Sequence, residues 1–155
     1  RQCQVDRVDG VAVFIHILRD GRAAAYSIMR SRLGHSGAYW SVKPPGWQAL
    51  LKLPLVEACA LQWKMTVAAI LQSAKKLPPE QYMEVKYEEF VARPAEIFKR
   101  VAEKCDLVWQ DALLQTITVG MDNRNFKWQT EMQDSDKKTL NGLLGDFLKQ
   151  LGYEV

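Results

Sequence analysis

Two residue types at one spacing carry the chemistry that this sequence offers. Arg19 is followed eight residues later by Ser27, with Asp20-Gly21-Arg22 and a run of small residues between them. A guanidinium presents a planar fork of N–H donors that matches a phosphate, and a hydroxyl supplies a further donor. With Arg19 at the end of a strand and Ser27 in the second turn of the helix that follows, both reach one phosphate group, and Arg22 adds charge at the rim. A dianionic phosphate suits that combination.

The flanking segments supply these elements. Val11–Leu18 (VAVFIHIL) is an almost unbroken apolar run rich in Val and Ile, which predicts a central parallel strand covered on both faces. His16 within it reads as a packed core imidazole without a catalytic role. Ala23–Arg32 places Ala24 with Ile28 and Ala25 with Met29 at helical spacing. Asp20 is placed to cap that helix and Gly21 to permit the turn. The free N–H groups of the first turn would then face the space above the strand's C-terminal end, where open α/β sheets bind ligands.

Leu33–Gly46 has no clear period and reads as a loop; Tyr39, Trp40 and Trp47 either line a pocket or anchor the loop itself, and His35 lies in the same region. Pro54 separates a short helical piece, Trp47–Leu53, from a longer one, Leu55–Leu77, in which Leu61, Met65, Ala68 and Leu71 share a face. Pro78-Pro79 stops that helix, and Tyr82–Tyr87 alternates as a strand does. Pro94 opens a helix carrying Ile97, Val101 and Cys105, and a second short helix is expected over Asp111–Val119. Gly120–Asp134 reads as a functional loop with Trp128 packed beneath it. Ser135 is placed to cap a final helix with a stripe of Leu140, Leu144, Phe147, Leu148 and Leu151, ended by Gly152.

A chain of 155 residues with 48% hydrophobic and 25% charged content fits one domain, residues 1–155, with a core of its own. The net charge of +3 comes without dense Lys/Arg blocks, which favours a small anionic ligand over nucleic acid. The uncharged runs fall far short of the roughly 20 residues of a membrane helix. Cys3, Cys59 and Cys105 cannot all pair within one molecule and read as buried or idle thiols, which leaves the compartment open. No metal-ligand spacing occurs.

The segment Phe14–Arg32 (FIHILRDGRAAAYSIMRSR) resembles the signature of the sulfotransferase family, an apolar strand ending in Arg-Asp-Pro-Arg before a small-residue helix with a Ser at this spacing. Gly21 stands where Pro is usual, which loosens the turn without removing either ligand. Leu77–Pro94 (LPPEQYMEVKYEEFVARP) is similar to the family's Tyr-x-x-Val-x-Tyr-Glu-Asp-Leu-Val-x-x-Pro block, with Glu89 for Asp and Phe90 for Leu. Asn123–Trp128 (NRNFKW), the last helix and the closing Leu151-Gly152-Tyr153 resemble its C-terminal cofactor loop and final helix. The resemblance implies a three-layer, P-loop-NTPase-like α/β fold with a short parallel sheet flanked by helices. It implies binding of 3′-phosphoadenosine 5′-phosphosulfate (PAPS), or of its product adenosine 3′,5′-bisphosphate (PAP), with Arg19 and Ser27 on the 3′-phosphate. Arg124 and Lys127 either close over that phosphate or are solvated loop charges, and Tyr87 either stacks near the adenine or packs.

The family's phosphosulfate-binding strand, loop and helix precede the Arg/Ser block, and Arg1–Gly10 are too short to hold them. The expectation is therefore a fragment, or a chain partnered by a second one carrying the N-terminal half, with the catalytic base outside it. The acceptor is a hydroxyl or amine on a carbohydrate, a small molecule or a tyrosine, with a loose similarity favouring sugar. A P-loop nucleotide kinase is the rival enzyme class, although its Gly-x-x-x-x-Gly-Lys-Ser/Thr loop is missing too. A binding module that kept the fold and lost the chemistry is the non-enzymatic rival.

Overall fold

The computed structural model describes residues 12–35, 39, 41–110, 112 and 122–155. Two strands, β1 (Phe14–Leu18) and β2 (Tyr82–Lys86), pair in parallel, with Phe14 opposite Tyr82 and Leu18 opposite Lys86. Parallel neighbours need a long crossover. Here it consists of α1 (Gly21–Gly34), a 3-10 turn (Trp47–Lys52) and α2 (Leu55–Ala74). After β2 come α3 (Tyr87–Ala92), α4 (Pro94–Lys104), α5 (Lys127–Glu131) and α6 (Asp134–Gln150). The chain is α/β, a short parallel sheet flanked by helices. Cys3, Trp40 and most of the helix expected over Asp111–Val119 lie outside the described residues.

The core forms where α1, α2 and α6 meet. Leu140, Leu144 and Leu148 of α6 have no accessible surface and pack with Cys59, Ala60, Trp63 and Val67 of α2 and with the small face of α1. Each such leucine contributes about 1.5–3 kcal/mol by burial, and Leu144→Ala would cost about 2–5 kcal/mol once the cavity is included. The expected α6 stripe is therefore the buried one. On α2 the stripe differs: Ala68 is exposed and Leu61 and Met65 are half-buried, whereas Cys59, Trp63 and Val67 face inward. Apolar residues surround most of α2, so its own period does not choose the face; the packing of α1 and α6 does. Burial pushes the Cys59 thiol up to about 11, against an opposing pull from Arg32, so it is an inert core group.

Four further expectations change. Phe14 and Ile17 are 49% and 52% exposed, so β1 is not covered on both faces by the described residues, and β2 is its paired neighbour. Gly21 has an ordinary helical backbone, and its role is space rather than turn freedom: a Cβ there would lie 2.4 Å from the Trp63 ring. Proline at this position would carry the same Cβ into the ring. Gln133, without a side-chain cap bond, precedes α6, which puts Ser135 inside the first turn; Asp134 and Asp136 there suit the helix dipole. The 120–134 segment is not all loop, because Lys127–Glu131 is helical and buries Trp128 as expected. His16 sits half-buried on β1, its Nδ1 2.9 Å from the Tyr82 hydroxyl across the strand pair.

Candidate functional site

The β1–α1 junction builds the site. β1 delivers Arg19 at its C-terminal end, and α1 starts two residues later with Asp20 as its cap, the carboxylate accepting from the Arg22 N–H at 2.8 Å. That cap takes up the Arg22 amide, and the flank of α1 faces the cavity. Ala23, Tyr26, Ser27 and Arg30 follow the i, i+3, i+4, i+7 pattern of one helix face and line a cavity of about 530 Å³. Tyr87 of α3 and Arg124 and Lys127, beside and in α5, complete its walls with Arg19.

Arg19 is held rather than loose. Its Nε donates to Asn125 Oδ1 at 2.7 Å, one Nη donates to the Arg124 carbonyl at 3.1 Å, and its guanidinium lies 4.6 Å from the centre of the Tyr87 ring. Those partners are neutral, and among the described residues its guanidinium forms no ion pair with a carboxylate. Ser27, Arg30 and Lys127 have side chains that make no hydrogen bond or ion pair among the described residues, nor does the Arg124 guanidinium. Against the cations Arg19, Arg30, Arg124 and Lys127, the described lining holds the carboxylates Asp122 and Glu131. The cavity thus carries an excess of positive charge in a concave surface, which attracts and holds anions. Tyr26 donates its hydroxyl to Glu131, and burial first, then that carboxylate, raises its pKa; the phenol stays a donor.

Of the residues expected at the site, Arg19, Ser27, Tyr87, Arg124 and Lys127 all line this one cavity. Arg22 does not. Its guanidinium grips Asp20 in a bidentate pair, donates to the Glu154 carbonyl at 2.7 Å and lies 4.9 Å from the buried Trp128 ring. Tyr87 has one ring face under Arg19, and its hydroxyl donates to the Asp122 carbonyl at 3.3 Å, so packing and clamping already engage it. Tyr39 and Trp47 pair with each other at 4.7 Å and take Arg32 and Lys43 on their faces, away from this cavity. His35 Nδ1 meets the Ser31 carbonyl at the end of α1. Arg30 was not expected, although it follows Ser27 by three residues on the same helix face, and that spacing was available in the sequence. Asn125 and Glu131 needed the tertiary structure to be found.

This arrangement has counterparts. The model of the sulfotransferase family matches residues 11–111, and the chain belongs to that family. A protein-tyrosine sulfotransferase of Drosophila melanogaster is 24% identical over 103 residues, which is 66% of this chain and 18% of that protein. The sulfotransferase domain of the Synechococcus PCC 7002 olefin synthase superposes with a TM-score of 0.55 at 18% identity, over 93% of this chain and 50% of the other. The chain thus spans half of that solved domain and less than a fifth of the curated relative.

Proposed function

We propose that this chain forms the part of a sulfotransferase that grips the 3′-phosphate of PAPS, the donor of a sulfuryl group for a hydroxyl acceptor. One observation carries the reading: uncompensated cations and a free hydroxyl converge on one cavity at the C-terminal end of a parallel strand. A 3′-phosphate is dianionic near neutrality and accepts several hydrogen bonds at once, which fits Arg19, Ser27 and Arg30 on the α1 side and Arg124 and Lys127 on the α5 side. The donor, when bound, supplies the sulfuryl group and the bisphosphate that leaves. The chain's own residues bind and orient: Arg19 presents the guanidinium N–H groups left over from Asn125 and Arg124, and Ser27 adds its hydroxyl. No described residue is assigned as the acceptor's base. The likeness to the Drosophila protein-tyrosine sulfotransferase makes a tyrosine hydroxyl the first acceptor to try, ahead of the carbohydrate hydroxyl that the sequence favoured.

Thermal melting of the full-length protein with two nucleotides tests the reading. PAP should raise the melting temperature and ATP should not. Equal shifts with both, or none with PAP, would refute it.

A further inference from the structure

Glu88 is a carboxylate that the proposed chemistry does not use, and its partners are unusual for an acid beside an anion site. One oxygen accepts from the Asp20 backbone N–H at 3.1 Å and from the Asn125 amide; the other accepts from the Tyr153 hydroxyl at 3.1 Å. All three donors are neutral, and they come from the tip of β1, the segment 122–126 and the C-terminal tail. Tyr153 remains a donor because burial, and then the Glu88 carboxylate, raise its pKa far above the ordinary range. Asn125 stands between Glu88 and Arg19, giving its N–H to the one and its Oδ1 to the other. An amide between an acceptor and a donor can sit only one way round. Glu88 thereby fixes which atom Asn125 offers to Arg19.

We infer that Glu88 is a positioning residue: through Asn125 it orients the Arg19 guanidinium and fastens the 122–126 segment over the cavity. Among the described residues, the other bonds that reach this segment from outside it and the adjoining α5 are the Arg19 donation to the Arg124 carbonyl and the Tyr87 donation to the Asp122 carbonyl. With Glu88 lost, Asn125 is free to flip or leave, and Arg19 loses the acceptor of its Nε.

The test measures hydrogen exchange of residues 122–131 in the nucleotide-free, full-length protein, together with PAP affinity by calorimetry; the affinity arm rests on the proposed function, and the exchange arm does not. Glu88→Ala and Asn125→Ala should both raise exchange in this segment and weaken PAP about tenfold, and the double variant should be no weaker than the worse single one. Glu88→Gln should restore both properties, since its carbonyl can accept from Asp20 and Asn125 while Tyr153 turns to the Leu18 carbonyl, 3.3 Å away. Asn125→Ala leaves the bonds of Glu88 to Asp20 and Tyr153 in place, which separates clamping from a general loss of structure. Unchanged exchange in the alanine variants, a Gln variant that behaves like Ala, or additive losses would overturn the inference. Should the unaltered protein not bind PAP, the functional reading fails and the exchange arm alone decides on Glu88.

Discussion

Arg19 and Arg22 sit three residues apart at the same strand–helix junction, and their surroundings differ in kind. Arg22 is neutralised: a carboxylate, a carbonyl and an indole face take up its charge and the donors of its Nε and one Nη. Arg19 is steadied by neutral groups that orient it and leave its charge unspent. The first arrangement holds the C-terminal tail and α5 to the start of α1. The second leaves a cation on the cavity wall with its charge unneutralised by its partners. A cation's partners, more than its place in a motif, separate a structural role from a binding one.

Substitutions can break that contrast. Arg19→Ala is expected to cost about 2–4 kcal/mol of PAP affinity, as when one partner of a charge-assisted pair is removed, with little change in melting temperature. Arg22→Ala should do the reverse: it strands the buried Asp20 carboxylate, lowers folding stability by about 2–3 kcal/mol in urea titration, and leaves calorimetric PAP affinity near its original value. Ser27→Ala should weaken PAP by about 1.5 kcal/mol, the worth of one hydrogen bond to a charged group, without touching stability because the hydroxyl has no internal partner. Smallest is Lys127→Ala, an exposed cation at the cavity edge, with about 0.3–1 kcal/mol of affinity that fades as salt rises. A loss of PAP affinity from Arg22→Ala as large as that from Arg19→Ala would erase the distinction.

The sequence made Arg19 and Ser27 legible because their meeting depends only on a strand, a turn and two turns of helix, all local. The α6 stripe was legible for the same reason, since Leu140, Leu144 and Leu148 repeat at the helical period against a polar background. The engagement of Arg22 was hidden, because Trp128 and Glu154 reach it from more than a hundred residues away. The inward face of α2 was hidden as well: Leu61–Met65 and Cys59–Trp63–Val67 satisfy the same period, and only the partner helices decide between them. The exposure of Phe14 and Ile17 could not be read from an apolar run, since composition says what a strand can bury and not what arrives to cover it.

The close approach of Gly21 to Trp63 ties the first residue of α1 to the middle of its neighbour α2. The two positions share one volume. A methyl group added at the first must be matched by carbon removed at the second, so drift at either site is constrained by the other, and relatives with a bulkier residue at the junction should carry a slimmer one facing it. Gly21→Ala alone should be destabilising, and Gly21→Ala combined with Trp63→Phe should recover part of the loss. The start of α1, which lies between Arg19 and Ser27, is thus packed directly on an indole of α2.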